Sequence, residues 1–261
     1  MKKRRRWVIK VGSQLVCTGG PLLVREWMQQ VLTLQKRHRI DVVWVSSGAI
    51  HSAIGRTGRS HGAKRTLSEK QALSAIGQPM VMDLYNLALQ ASGMLGAQVL
   101  LTYDDLDSTQ RRQNFLNTLG ELLKWGAVPI LNENDAVATE EIKFGDNDSL
   151  SAKVAIALRA ERLIILSDVE GLYTENPAEN PRARLVRDVE QVNEKVLKMA
   201  PPNTKSSRGT GGMYSKLLAG REAARAGVET YLVKGDRMKV LLDLADGLPI
   251  GTRIHRRASR G

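Results

Sequence analysis

Short polar side chains crowd together directly after the apolar run of residues 127–131. Residues 132–141 and 145–152 supply many carboxylates, carboxamides and hydroxyls, among them Asp135, Asn147 and Asp148. Groups of these types bind polar ligands, transfer protons or hold metal ions. Because ligands of open α/β sheets bind at the carboxyl ends of strands, this stretch predicts a small-molecule site rather than scaffold.

Lysine and glycine residues mark two further strand ends. Lys10 lies in the first apolar run and precedes Gly12, and Ser47 and Gly48 close the second run. Glycine lets backbone N–H groups approach an anion, and a following helix N-terminus adds its dipole. Because a charge inside an apolar strand is costly without a partner, we favour a functional role for Lys10 over that of an ordinary strand-edge lysine.

Another anion signal is the glycine-rich stretch 208–216, which runs into a helical pattern and ends at Lys216. Its glycines, hydroxyls and lysine suit a polyphosphate, but their spacing matches neither the P-loop nor the dinucleotide-binding fingerprint. The alternative is a flexible loop that ends in a chance lysine. Residues 167–173 close a further strand, where Asp168 either bonds a ribose or caps a turn.

Hydrophobic periodicity predicts the elements that position these residues. Short apolar runs predict strands at 7–11, 41–45, 98–101, 127–131, 162–166 and 228–233, with an edge segment at 251–254. Three- and four-residue apolar spacing predicts helices at 22–36, 69–90, 110–124, 150–158 and 215–226. This alternation is typical of a mostly parallel sheet with helices on both faces.

Composition limits the class of protein. The chain has 261 residues, of which 42% are hydrophobic, and no low-complexity linker divides it, so we expect a single domain over residues 1–261. No apolar run approaches the roughly 20 residues of a membrane helix, and the basic residues 2–6 do not begin an export signal. The single cysteine, Cys17, excludes an internal disulfide. We expect a cytoplasmic protein without a membrane partner.

The formal net charge of +12 has two interpretations. Clustered lysine and arginine residues would supply the sequence-independent part of nucleic-acid affinity, but much of the excess lies in residues 2–6 and 253–260. Aromatic residues make up only 4% of the chain and leave little to stack on bases. We expect solvated termini and no nucleic-acid partner; a basic binding protein without turnover is the alternative hypothesis. Cysteine and histidine residues show no metal-ligand spacing.

Together these segments resemble the amino acid kinase family, in the family's order and across nearly the whole chain. The resembling segments are 10–13, 46–50, 68–72 with 77–78, 132–139, 145–152, 167–168 with 171–173, and 209–216. The motifs at 132–138 and 145–148 are typical of the glutamate-phosphorylating branch, whereas those at 10–12 and 46–49 are shared more widely. The resemblance implies an α/β fold, a three-layer sandwich with a mostly parallel central sheet flanked by helices.

The resemblance also implies a reaction. Members of this branch move the γ-phosphoryl group of ATP onto the side-chain carboxylate of L-glutamate, which gives L-glutamyl 5-phosphate for proline biosynthesis. Ser47, Asp135 and Asn147 match the glutamate-binding positions, with Asp135 suited to the ammonium group and Asn147 to a carboxylate. The part of the chain before about residue 160 is expected to bind mainly glutamate, and the remainder mainly ATP.

Catalytic roles follow from the same resemblance. Lys10 and Lys216 match lysines that neutralise charge on the phosphoryl oxygens, and Asp148 matches the carboxylate that orients them. Mg²⁺ is expected on the phosphates, with no protein ligand assigned. The residues assigned to ATP are Lys10, Gly12, Ser167, Asp168, Thr210, Gly211, Gly212, Met213, Tyr214, Ser215 and Lys216.

Further expectations rest on the family alone. They are feedback inhibition by proline, homo-oligomerisation as a dimer or tetramer, and, because the chain stops at Gly261, no C-terminal PUA domain. Gln14 and Ser215 depart from the family's usual hydroxyl residue and threonine, and Ser215 retains the hydroxyl. N-acetylglutamate, aspartate and UMP stay open as acceptors of a sister activity.

Overall fold

A computed structural model of the chain describes residues 4–59, 65–137, 147–201 and 212–257. Its centre is an eight-stranded sheet in the order β3-β4-β2-β1-β5-β7-β8-β6. The strands are β1 (Arg5–Val11), β2 (Ile40–Val45), β3 (Gly96–Leu101), β4 (Val128–Glu133), β5 (Arg162–Ser167), β6 (Asp188–Val189), β7 (Glu229–Lys234) and β8 (Thr252–Ile254).

Nearly all strand pairs are parallel, and the exception is the antiparallel pair β7 and β8. Strand β1 lies at the centre, where Lys10 is paired with Val45 of β2 on one side and Ile165 of β5 on the other. The carboxyl ends of β1, β2, β3, β4, β5 and β7 therefore meet at one edge of the sheet. Parallel central strands of this kind are buried on both faces, which explains their continuous apolar runs.

Helices cover both faces of the sheet. They are α1 (Ser13–Thr33), which continues as a π-helical turn at Leu34–His38, α2 (Ala49–Thr57), α3 (Leu67–Gln90), α4 (Tyr103–Asp107), α5 (Thr109–Lys124), α6 (Asp148–Ala157), α7 (Glu194–Lys198), α8 (Met213–Arg225) and α9 (Val240–Ala245). Apolar residues of α1, α3 and α9 pack on one face and those of α4 to α8 on the other. The predicted α/β three-layer class is confirmed.

Alternation along β1 distributes its side chains between these two layers. Trp7, Ile9 and Val11 belong to the core beneath α1 and α3, whereas Val8 belongs to the core beneath α6 and α8. Lys10 shares the face of Val8, so its ammonium group extends toward α6 and α8. The position of a single lysine in the strand thus decides which helices it meets.

Several boundaries differ from those predicted from the sequence. Helix α1 begins at Ser13 rather than at residue 22, and Gly20 interrupts it with φ 60° just before Pro21. The missed helices α2, α4, α7 and α9 have five to nine residues each, too few to show a clear apolar period. The strand predicted at 251–254 is present as β8, but its predicted place at the edge of the sheet is wrong, because β8 lies between β7 and the two-residue strand β6.

Among the described residues, no helix is both long enough and apolar enough to cross a membrane.

Candidate active site

Three charged side chains from distant parts of the chain converge beside the centre of the sheet. Nζ of Lys10, near the end of β1, lies 2.7 Å from Oδ1 of Asp148, the first residue of α6. Nζ of Lys216, in the first turn of α8, lies 3.3 Å from Oδ2 of the same carboxylate. We call Lys10, Asp148 and Lys216 the charged cluster.

The hydroxyl of Ser215 contributes to the orientation of the shared carboxylate. Its Oγ lies 2.8 Å from Asp148 Oδ2 and 2.8 Å from the backbone oxygen of Gly212, the residue that precedes α8. Since a hydroxyl has one hydrogen, it donates to one of these acceptors at a time. Helix α8 therefore brings both a lysine and a hydroxyl to the first residue of α6.

Burial makes the charged cluster chemically unusual. Lys10 and Asp148 are each 1% exposed and Lys216 is 7% exposed. Ionised groups removed from water require partners of opposite charge, and among these three side chains two ammonium groups share one carboxylate. Such a cluster suits an additional anion, and two lysines placed side by side suit one whose charge is spread over several oxygens, such as a phosphoryl group.

A second group of polar side chains lies where β2 and β4 end. Oγ of Ser47 is buried without a hydrogen-bond partner among the described residues. Asp135 accepts a hydrogen bond of 2.6 Å from Oγ of Ser74, on α3. Burial raises the pKa of Asp135 above that of an ordinary aspartate, and the bond from Ser74 opposes this only in part.

Asn147 connects the second group to the charged cluster. It occupies the position before α6, yet its side chain does not cap that helix. Instead its Nδ2 donates to the backbone oxygen of Ser46 and to Oδ1 of Asn132, each at 2.5 Å. Because Asn147 is followed directly by Asp148, the start of α6 holds one residue of each group.

The family model of the amino acid kinase family matches residues 5–234 of the chain. The chain belongs to the amino acid kinase family. Within the family it is 47% identical over 262 aligned residues to the glutamate 5-kinase of Thermus thermophilus, an alignment that covers 98% of this chain and 69% of the relative. The glutamate 5-kinases of Trichlorobacter lovleyi and Hydrogenovibrio crunogenus are 42% and 40% identical, and each alignment covers 97% of this chain and 67% and 68% of the respective relative.

A solved structure shares the fold. The isopentenyl phosphate kinase of T. acidophilum, crystallised as a product complex, superimposes with a TM-score of 0.64 at 19% sequence identity. The match covers 96% of this chain and all of that one. At this identity the likeness concerns the fold alone.

The residues assigned to ATP through the family resemblance lie in two places. Gly12, Gly212, Met213 and Ser215 lie at or beside the N-termini of α1 and α8, and Met213 and Tyr214 also pack partly on the apolar core. Ser167 ends β5 and Asp168 follows it, with the hydroxyl of Ser167 donating to Asp168 Oδ1 at 3.1 Å. Thr210 and Gly211 lie outside the described residues, as do Glu140, Glu141 and Asp146.

A cavity of about 480 Å³ lies beyond Asp168. Glu170, Arg187, Lys234 and Arg237 supply charged groups to its wall, and Pro249 and Ile250 supply apolar ones. The N–H of Gly235 donates to the oxygen of Ser167 at 2.8 Å, which joins this wall to the end of β5. Residues that line the cavity are therefore close in sequence to Asp168 and hydrogen-bonded through Gly235 to Ser167, two of the residues assigned to the nucleotide.

Sequence patterns assigned no role to several residues that support the second group of polar side chains. They are Ser46, Ser74, Gln78, Tyr85 and Asn132. The apolar spacing of α3 predicted the helix, but nothing in that spacing showed that its polar residues would face the ends of β2 and β4. Ser46, Gln78 and Asn132 belong to segments that resemble the family, which was the available signal, and Ser74 and Tyr85 carried none. No cluster of three or more metal-binding side chains occurs within the described ranges.

Proposed function

We propose that this chain transfers the γ-phosphoryl group of ATP to the side-chain carboxylate of L-glutamate, which yields ADP and L-glutamyl 5-phosphate, the first step of proline biosynthesis. The observation that carries the proposal is the charged cluster, set beside a second group of polar side chains that includes Asp135 and Asn147. The three glutamate 5-kinases at 40–47% identity support the choice of acceptor.

The chemistry requires positioning and charge neutralisation more than proton transfer. A carboxylate with a pKa near 4.3 is already ionised at neutral pH, so its oxygen attacks phosphorus without a general base. The obstacle is repulsion between two anions, which fixed positive groups reduce as charge redistributes in the transition state. Lys10 and Lys216 would contact the transferring phosphoryl group, and Asp148 would hold both ammonium groups in place.

The glutamate-facing residues divide the recognition of the acceptor. Asp135 would pair with the α-ammonium group, and the hydroxyl of Ser47, buried without a partner among the described residues, would donate to a carboxylate. Asn147 would bind the same amino acid beside them. These contacts would place the γ-carboxylate of the substrate next to the charged cluster, because Asn147 and Asp148 are adjacent.

ATP would lie along the opposite part of the same sheet edge. The N-termini of α1 and α8, with Gly12 and Gly212 before them, direct backbone N–H groups and helix dipoles toward anions. Ser167 and Asp168 would bind the nucleoside, and Thr210 and Gly211 complete the proposed set. Mg²⁺ bound to the phosphates would supply additional positive charge, held mainly by the nucleotide itself.

Four further points belong to the proposal: the division of residues 1–261 into a glutamate-binding part and an ATP-binding part from about residue 160, a cytoplasmic location, inhibition by proline, and assembly into a homo-oligomer.

Proline is a small cyclic relative of glutamate and would compete for Asp135 through its own ammonium group. Titration of the enzyme with proline at several glutamate concentrations tests this point, since competition predicts a changed KM with constant kcat.

The direct test of the reaction is acyl phosphate formation. Purified protein with ATP, Mg²⁺ and L-glutamate should give a hydroxamate in the presence of hydroxylamine, and ADP in equal amount. Turnover with N-acetylglutamate, aspartate or UMP but not with glutamate would assign a sister activity. Salt-dependent binding to nucleic acid without any phosphoryl transfer would favour the alternative of a basic binding protein.

A further inference from the structure

Three buried side-chain amides form a chain from α3 to the start of α6. Nε2 of Gln78 donates to the backbone oxygen of Glu133 at 3.2 Å, and Oε1 of Gln78 accepts from Nδ2 of Asn132 at 3.1 Å. Oδ1 of Asn132 accepts from Nδ2 of Asn147. Gln78, Asn132 and Asn147, which we call the amide chain, are 8%, 6% and 5% exposed.

Backbone groups fix which way each amide points. A carbonyl oxygen only accepts and an N–H only donates, so these contacts determine the positions of the nitrogen and oxygen of an amide. The oxygen of Glu133 requires Nε2 of Gln78, and the N–H of Glu133 donates to Oδ1 of Asn132 at 2.9 Å. The oxygen of Ser46 requires Nδ2 of Asn147. Reversal of any one amide would place two acceptors or two donors face to face.

This polarity leaves one group of Asn147 for a ligand. Both hydrogens of its Nδ2 are used, by Ser46 and by Asn132. The group that remains is Oδ1, which is an acceptor. Among the described residues, none donates a hydrogen bond to it. An acceptor binds an ammonium group and repels a carboxylate, so Oδ1 of Asn147 suits an ammonium group better than the carboxylate that the family resemblance implies.

We propose that Gln78 is a positioning residue for substrate selection: through Asn132 it holds Asn147 with Oδ1 toward the ligand, so that the site requires an α-ammonium group. The inference rests on the proposed function and deepens it. Gln78 itself acts through two other amides, and its effect is on which substrate is accepted.

Helix α3 supports the same end of the substrate at a second point. Ser74 and Gln78 are four residues apart and therefore lie on one face of α3. Ser74 donates to Asp135, and Gln78 orients the amide chain. Asp135 and Asn147 thus present two acceptors held by neighbouring turns of one helix. Within the described part of the chain, a ligand without an ammonium group would leave Oδ1 of Asn147 without a donor and Asp135 with the bond from Ser74 alone.

Glutarate provides the matched substrate, because it has both carboxylates of glutamate and lacks the ammonium group. Wild-type protein should prefer L-glutamate strongly in kcat/KM. Gln78→Leu removes both bonds of Gln78 at similar size, so KM for glutamate should rise about tenfold, as expected for loss of an oriented polar contact. The kcat/KM for glutarate and the KM for ATP should change less than about twofold. The preference, which is the ratio of kcat/KM for glutamate to that for glutarate, therefore falls about tenfold.

Controls separate positioning from simple stability. Gln90→Leu removes an exposed amide from the same helix and should leave the preference unchanged. Gln78→Met removes the same two hydrogen bonds with an unbranched side chain of similar length, so it should narrow the preference by a similar factor. If Gln78→Leu does not fold, as judged by circular dichroism, Gln78→Met carries the same test.

Equal loss of kcat/KM with both substrates in a folded Gln78 variant, or no change with either, would overturn the inference. Wild-type protein that fails to phosphorylate glutamate would overturn the proposed function instead. The two failures are distinguished by calorimetric binding of L-glutamate and glutarate without ATP, where the role of Gln78 still predicts a narrowed preference.

Discussion

The charged cluster and the amide chain meet at the start of α6 but are built from different chemistry. The charged cluster brings two lysines and one carboxylate together within 3.3 Å. The amide chain contains no formal charge and is fixed by backbone groups of Ser46 and Glu133. Charged side chains suit the transfer step, in which charge on the phosphoryl oxygens is redistributed. Neutral amides in fixed orientations suit the recognition of a substrate by its shape and by the positions of its hydrogen-bond donors.

This difference gives a rule for separating the two regions by kinetics. Changes in the charged cluster should lower kcat, because we propose that its ammonium groups act on the transferring phosphoryl group. Changes in the residues proposed to bind glutamate should raise KM for glutamate and affect kcat less. The following variants test this separation, in order of decreasing expected effect.

Asp148→Asn should have the largest effect. The variant leaves two buried ammonium groups without their shared carboxylate, which costs about 3 kcal/mol of stability and misplaces both lysines. Acyl phosphate formation should fall about a thousandfold, and thermal unfolding should occur at lower temperature. Asp243→Asn, which breaks an exposed ion pair with Arg237, is the control and should change stability by less than about 1 kcal/mol.

Asp135→Asn should separate binding from catalysis. Loss of the carboxylate proposed to pair with the ammonium group should raise KM for glutamate about a hundredfold, as for a charge-assisted bond, with kcat changed less than about fivefold. Because burial raises the pKa of Asp135, the ionised form is costly in the folded protein, so the variant should unfold at no lower temperature than wild type. A large fall in kcat at unchanged KM would assign Asp135 to the chemical step.

The raised pKa of Asp135 also predicts a pH dependence. The carboxyl binds a proton more tightly in the folded state than in the unfolded state, so ionisation lowers stability as pH rises through the folded-state pKa. The proposed pairing with the ammonium group needs the ionised form of Asp135, so KM for glutamate should rise as pH falls through this raised pKa. Asp135→Asn should lose this step, and any dependence that remains would belong to the substrate's own carboxylate.

Ser215→Ala should have a smaller effect. The variant removes one hydroxyl contact from Asp148 while Lys10 and Lys216 remain, so kcat should fall about fivefold, as expected for one hydrogen bond. Ser215→Thr retains the hydroxyl and should stay near wild type. An equal loss in both variants would show that the size of the side chain, and not its hydroxyl, matters at this position.

Sequence patterns singled out Lys10 and Lys216, which the structure brings together at Asp148, and predicted the overall fold, because the relevant signals are local. A lysine inside the apolar strand β1 and a glycine-rich stretch before α8 are each visible within about ten residues. The strand centres were also visible, since each is a short apolar run. The short helices α2 and α9 and the two-residue strand β6 were missed, because their positions depend on packing against distant elements rather than on a period of their own.

Orientation of side chains lay beyond the sequence. Gln78, Asn132 and Asn147 are separated by 54 and 15 positions along the chain, and only the packing of α3 beside β4 shows that they touch. The role of Asn147 depends on which end of its amide faces the ligand, and that is decided by the backbone oxygen of Ser46. The family motif located the residue and could not give its polarity.

The most direct test of the separation between the two regions is a single variant, Lys10→Met, measured in two ways. Calorimetry gives the Kd for glutamate, and single-turnover acyl phosphate formation at saturating ATP and glutamate gives the rate of transfer. We expect a Kd within about threefold of wild type and transfer slowed at least a hundredfold, as for loss of a preorganised charge. A Kd weakened by that factor with transfer at the wild-type rate would contradict the catalytic role of the charged cluster.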